Sequence, residues 1–316
     1  MDIEKLKQYK DEYIKKLESD RKSSSTIKSY SYHIDNMIES IKNNYSDDFD
    51  VKIVILDYID NLNVEYKTTT INIIRSAVRG FITFMKSRDY IKEDFGGNIT
   101  LLREDITPKE VLKPSEIESI FNTLISELKE AEGYKIYHKA RNLALFSFLL
   151  YTGIRRGEVV KIRWKDIDFI NNVISVTGKG NKTRVIPLLP DLKQQLYSYR
   201  DIIEQMNNAG YNVKSEYLFR SEKINRKTNK KDKPMTGKNV EVIIKEICAA
   251  SGIKKNITPH NIRHTFASYA IKNKMNLPSL SDILGHANLS TTLNIYAHEI
   301  SMEEKKREMK KVRFDI

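Results

Sequence analysis

Two histidines, an arginine and a tyrosine stand near the end of the 316-residue chain: His260 and Arg263 in TPHNIRHTFASY, His286 and Tyr296 in LGHANLSTTLNIYAH. Their spacings suit helices and their types suit phosphoryl chemistry. A tyrosine attacks a phosphodiester only among cations, because its phenol has a reference pKa near ~10 and making phenolate at pH 7 costs roughly 4 kcal/mol. Histidine supplies a proton acceptor, and arginine an anion clamp one helical turn away. His260 and His264, four residues apart, would also suit zinc. Against that, Asn261 stands where a zinc protease carries Glu, and no third ligand is apparent. His264, followed by Thr265 and Phe266, is expected to face the core. One tyrosine among 17 proves nothing alone, since a tyrosine on a helix is usually a packing residue.

Two upstream stretches carry further cations. TGIRRGE holds Arg155 and Arg156 after a glycine that ends an apolar run, with Glu158 three residues beyond Arg155, a spacing at which a carboxylate can orient a guanidinium. The planar fork of arginine suits phosphate oxygens. Alone, this reads as a surface ion pair. GKGNKT lacks the spacing of a nucleotide-binding loop and sits between two strands, which leaves Lys179 at a hairpin tip, able to reach into a groove, or simply an ordinary turn.

Lys and Arg outnumber Asp and Glu by 54 to 42, giving a net charge of +12. That excess points to a polyanion partner, nucleic acid before an anionic membrane surface, unless the chain comes from a generally lysine-rich proteome. The single cysteine, Cys248, excludes an intramolecular disulfide and cysteine-based zinc sites, and fits a reducing cytoplasm. The charged beginning of the chain has no signal-peptide pattern, and no apolar run reaches the ~18 residues of a membrane span.

The elements that must position these residues fall into two domains. Residues 1–95 read as a helical bundle. Leu6, Tyr9, Tyr13 and Leu17 mark a first amphipathic helix, and Thr26 caps a second with Tyr30, Ile34, Met37, Ile38 and Ile41 on one face. A third runs from about Lys52 to Leu62, and a fourth from Thr68 to near Tyr90. Residues 96–111 read as a linker. A domain over 112–316 follows: a helix capped by Ser115 after Pro114, an apolar helix from Tyr137 to Thr152, two short strands in VISVTGKGNKTRVIPL, and helices from Leu192 onward. The segment 220–239, crowded with Lys and Arg, reads as a mobile surface loop: either a solvated insertion or a phosphate-contacting loop using Arg226, Lys227, Lys230 and Lys231.

The order of these boxes (Arg, hairpin Lys, H-x-x-R, G-H, late Tyr) closely resembles the tyrosine recombinase, or phage integrase, family, over about residues 112–297. TGIRRGE is similar to the family's first arginine box, GKGNKTRVIPL to its hairpin lysine box, and PHNIRHTFAS and LGHANLSTTLNIY to its remaining boxes. The helical first domain resembles the family's SAM-like core-binding domain in pattern and position, and the absence of a further domain ahead of it makes the short Xer-like members the nearest match. The resemblance implies a mostly α fold with a small β-hairpin sheet, built as a two-domain clamp around duplex DNA. It implies Tyr296 as nucleophile, Arg155 and Arg263 as phosphate clamps, and Lys179 as proton donor to the leaving oxygen. His260 and His286 would be acid–base or hydrogen-bonding groups, Glu158 an orienting carboxylate, and Arg155 rather than Arg156 the first clamp. No metal or other cofactor is implied. The expected partners are paired inverted-repeat DNA sites joined by a homotetramer, from a protein monomeric when free, at the nucleoid and away from membranes. The tail EISMEEKKREMKKVRFDI is expected either to dock on a neighbouring protomer or to fray. A topoisomerase IB-like enzyme, a catalytically silent DNA-binding module and a metal nuclease are the competing expectations.

Overall fold

Apolar residues at three- and four-residue intervals build the first unit as helices α1 (Ile3–Ser19), α2 (Ser24–Asn44), α3 (Val51–Asn61) and α4 (Thr68–Ser87). The computed structural model describes residues 1–45, 48–62, 66–103, 110–222 and 232–285. The chain divides into Met1–Thr107 and Pro108–Ile316. The core of the first unit joins Leu6, Tyr13 and Leu17 to Ile34, Met37, Ile41, Ile55, Val78, Phe81 and Met85, all buried. Burying each such side chain contributes about 1.5–3 kcal/mol. Helices α1 and α4 meet at Gly80, where a Cβ would lie 2.4 Å from the Tyr13 hydroxyl.

Local chemistry shifts two expected helix starts. Ser23, not Thr26, caps α2: its hydroxyl accepts from the Thr26 N–H at 3.1 Å. Lys113 precedes α5 (Pro114–Lys129), whose first position is Pro114, and the Glu116 carboxylate accepts the Lys113 N–H at 2.7 Å. Residues 96–102, which sequence assigns to the linker, fold back along α4. Asn72 both donates to the Leu102 carbonyl (2.9 Å) and accepts its N–H (2.8 Å), while Phe95 and Ile99 are buried in the helical core.

In the second unit, α6 (Lys135–Thr152) is buried on almost every side, packed against α5 and against α8 (Pro190–Asn208) and α10 (Pro259–Lys272). A helix buried on nearly every side is a core helix, and the run LALFSFLL, polar only at Ser147, makes it one. The short α7 (Arg156–Val159) leads into an antiparallel sheet of β1 (Ile167–Asp168), β2 (Val173–Thr177) and β3 (Thr183–Pro187), in that order. The expected hairpin is β2–β3, with Thr177 opposite Thr183 and residues 178–182 turning between them. Strand β1, two residues long, is an addition that no periodicity could reveal. Helices α9 (Gly237–Ala250) and α11 (Leu277–Leu284) complete the described part. The chain is not helical throughout after Leu192: residues 211–222 and 232–236 are irregular, zipped where Ser221 N–H meets the Lys233 carbonyl (2.8 Å) and Met235 N–H the Phe219 carbonyl (2.9 Å). The fold is mostly α with one small antiparallel sheet. Among the described residues no helix is long and apolar enough to cross a membrane.

Candidate active site

Helix α6 stops at Gly153, whose φ of 59° puts it in the left-handed region. A side chain there would collide with Phe266, since a Cβ would come 2.4 Å from the ring. The reversal delivers Arg155 as the residue ahead of α7, and Glu158 reaches back to accept its backbone N–H at 2.9 Å. The same carboxylate accepts from Arg155 Nη1 at 3.1 Å. Arg156 turns the other way and pairs with Glu241 on α9.

Arg263 comes from α10, whose start is pinned by Thr258, Pro259 and Asn261. The Thr258 hydroxyl accepts from the Asn261 N–H (3.4 Å), and Asn261 Oδ1 accepts the Thr258 N–H (3.1 Å). Asn261, the residue that argued against a zinc protease, thus has a helix-capping task. It also donates to the Glu110 carbonyl at 2.9 Å. Arg263 is buried and donates from Nη1 to the Gly153 carbonyl (2.9 Å) and from Nη2 to the Leu284 carbonyl (2.7 Å).

Helix α11 ends at Gly285, again left-handed with φ 64°. Its last carbonyls have no partners within the helix. Three guanidiniums take three consecutive ones: Arg184 Nε on Ile283 (2.8 Å), Arg263 Nη2 on Leu284 (2.7 Å) and Arg155 Nη2 on Gly285 (2.7 Å). Cations at a helix C-terminus also face the negative end of its dipole. The expected clamps, Arg155 and Arg263, are therefore brought to neighbouring atoms from positions more than a hundred residues apart.

Arg184 was not foreseen. It grips Glu158 with both prongs, Nη1 to Oε1 at 3.1 Å and Nη2 to Oε2 at 2.8 Å, and both side chains are nearly out of water. The signal was present in the strand period: Arg184 lies two residues from buried Ile186 and opposite buried Val176, so β3 turns it inward. An inward guanidinium needs its donors taken, and here a buried carboxylate takes two of them. Burial opposes the charge on Glu158, yet the Arg184 side chain, the Arg155 N–H and the charges of both arginines hold its pKa below the ordinary carboxylate value.

His260 is exposed on the first turn of α10, and His264 is buried, as expected. Their Nε2 atoms lie 3.0 Å apart, with rings nearly perpendicular at 81°. One ring carries its proton at Nε2 and the other accepts it. The backbone of Lys179 sits in the β2–β3 turn, next to Gly178, whose Cβ would be 3.2 Å from Glu158 Oε1. His286 and Tyr296 lie outside the described residues, as do Arg226, Lys227, Lys230, Lys231 and the tail. Among the described residues no cluster of three or more His, Cys, Asp and Glu could hold a metal.

Two family models match the chain. Residues 110–302 match the phage integrase family, and residues 11–89 match the phage integrase N-terminal SAM-like domain. The chain belongs to the phage integrase family. It is an Xer-like tyrosine recombinase, an enzyme class that breaks and rejoins DNA at specific sites. It is 31% identical to tyrosine recombinase XerC of Pediococcus pentosaceus over 80% of this chain and 77% of that protein. It is 27% identical to tyrosine recombinase XerD of Oceanobacillus iheyensis over 87% and 88%. The fold matches the XerH recombinase in its post-cleavage complex with palindromic difH DNA (TM-score 0.69, 20% identity, 90% of this chain and 80% of that one). It also matches the Tn1549 transposon integrase bound to transposon right-end DNA (TM-score 0.69, 20% identity, 98% and 99%).

Proposed function

We propose that this recombinase cleaves DNA with Tyr296. The phenolic oxygen attacks the scissile phosphorus, the bond to the 5′-oxygen breaks, and a 3′-phosphotyrosyl link and a free 5′-hydroxyl result. His260 takes the tyrosine proton and Lys179 protonates the leaving oxygen. Arg155 and Arg263 bind the non-bridging oxygens, where charge grows in the transition state, and His286 adds a hydrogen bond. Glu158 holds Arg155 in place. The cationic side chains stand where a metal would otherwise act, and the phosphotyrosine conserves the bond energy, so neither Mg²⁺ nor ATP is required.

One observation carries this reading: Arg155 and Arg263 converge on the adjacent carbonyls of Gly285 and Leu284, one residue before His286 in the chain. We assign DNA recognition to residues 1–95, joined by 96–111 to the chemistry in 112–316, with Arg226, Lys227, Lys230 and Lys231 on the phosphate backbone. Exchange would proceed through a Holliday junction between paired inverted-repeat sites held by four protomers, at the nucleoid in the cytoplasm. It would serve either chromosome dimer resolution or the movement of a mobile element. A lambda integrase tetramer solved on a Holliday junction shares the fold at a TM-score of 0.65 and 18% identity, which gives that assembly a precedent.

The test is a nicked duplex carrying a site selected from a randomised pool by binding. The wild-type protein should be trapped covalently on it in EDTA, and Tyr296→Phe should not. No adduct with the wild type would leave a DNA-binding module. Relaxation of plasmids lacking any selected site would favour a topoisomerase.

A further inference from the structure

We propose that Arg184 is a positioning residue for strand cleavage, acting through Glu158 to orient Arg155 and through the Ile283 carbonyl to hold the end of α11. The inference rests on the recombinase reading above. Its basis is a closed ring of hydrogen bonds. Arg184 gives two prongs to Glu158 and its Nε–H to Ile283; Glu158 accepts the side chain and backbone N–H of Arg155; Arg155 returns to Gly285, two residues beyond Ile283.

Each side of the ring limits a different motion. Arg155 is the exposed member, its side chain 43% accessible, against 11% for Arg184 and 6% for Glu158. A half-exposed arginine loses much rotamer freedom on meeting a phosphate, unless a neighbour has already fixed it. Glu158 does so only while its own carboxylate is held, and Arg184 holds both of its oxygens. The guanidinium also lies against Gly285, where a Cβ would come 2.8 Å from its Cζ and Nη1. The one side chain thus sets the distance between the first clamp and the last turn of α11. Lysine cannot replace it, because a single ammonium lacks the planar fork and the separate Nε donor.

The test uses the full chain and the nicked duplex described above, under single-turnover conditions with saturating DNA. Arg184→Lys should lower the cleavage rate constant roughly ten- to a hundredfold, with DNA affinity within about threefold of wild type. Because Arg184 acts through Glu158, Arg184→Lys combined with Glu158→Gln should be no slower than the slower single variant. A purely structural role predicts something else: fewer active molecules, seen as lower amplitude with an unchanged rate constant. Gly178→Ala is the second variant. Its φ is negative, so the backbone accepts alanine, and the added Cβ presses on Glu158 Oε1 and Arg184 Nη1 from 3.2 and 3.6 Å without removing a charge. It should fold and slow cleavage severalfold. Wild-type rate constants in Arg184→Lys and Gly178→Ala, or multiplying effects in the double variant, would overturn the role of Arg184 alone. No Tyr296-dependent adduct from the wild type would instead overturn the recombinase mechanism, and this inference with it.

Discussion

Glu158 and Arg184 form a two-pronged ion pair, 3.1 and 2.8 Å, between the start of α7 and the inward face of β3. Twenty-six residues separate them in sequence, and Arg155 joins the same carboxylate from the other side. One buried acid thus serves two guanidiniums.

Removing that acid should cost stability with a defined pH dependence. Breaking one side of a buried pair costs about 3–5 kcal/mol, and glutamine, keeping shape and one acceptor, should fall near the lower end. The pKa of Glu158 is depressed in the folded state. Its contribution is therefore complete above the unfolded value of about 4.3 and lost as pH falls through the lower folded value. Urea melts should show the wild type ahead of Glu158→Gln by a similar margin at neutral and mildly acidic pH, with the margin shrinking below pH ~4. A margin independent of pH down to acid unfolding would contradict this.

Gly285→Ala combines two penalties. A non-glycine residue in the left-handed region costs about 1–2 kcal/mol, and the new Cβ would meet Arg184 at 2.8 Å. In a unit of this size each kcal/mol is worth about 2–4 °C in Tm. Calorimetry should show a loss of several degrees, and cleavage should slow with it. Gly180→Ala is the control: its φ is also positive, but among the described residues a Cβ there meets nothing, so only the backbone penalty should appear.

The two arginines of TGIRRGE should separate cleanly. Arg155→Ala and Arg263→Ala should each lower single-turnover cleavage about a hundred- to thousandfold, as the loss of one transition-state donor does. Arg156, paired with Glu241, should be replaceable by alanine with cleavage within about twofold, since exposed pairs contribute little. Equal losses at 155 and 156 would require a different clamp.

Asn261→Ala removes the reciprocal half of the capping box, the Oδ1 that accepts the Thr258 N–H, and the bond to the Glu110 carbonyl. The Thr258 hydroxyl keeps the Asn261 N–H, so the loss is that of single hydrogen bonds, about 0.5–1.5 kcal/mol each. The expected result is a modestly lower Tm with no change in response to zinc; metal-dependent stability lost in the variant would revive the zinc reading.

DNA binding should weaken by about 10³–10⁵ between 50 and 200 mM salt if six to ten phosphates are contacted. Filter binding across that range measures the slope, and a flat response would deny a backbone-dominated interface.

Much of this was readable from spacing. The helices of the first unit followed their apolar stripes, and Gly153 announced a helix end because glycine accepts the left-handed conformation. Arg155, Glu158 and Arg263, which the structure brings to one place, stood out because their boxes occur in a recognisable order. Arg184 was hidden because an arginine in a strand reads as exposed until its face is known. Residues 96–102 looked structureless because what binds them is the Asn72 amide, the Arg75 guanidinium on the Thr100 carbonyl and one apolar anchor, Ile99, which leave no periodic trace. The helix starts at Ser23 and Pro114 slipped by a residue or more because several Ser, Thr and Pro compete there, and only backbone geometry chooses among them.

The zipper between Phe219 and Met235 has a practical consequence for protein engineering. Those two stretches of chain are fastened to each other by backbone bonds, and lengthening a loop closed in this way is inexpensive, about 0.6 kcal/mol for each doubling. An inserted tag there should leave the fold standing, and any change it makes in DNA affinity would report on the backbone contacts proposed for Arg226, Lys227, Lys230 and Lys231.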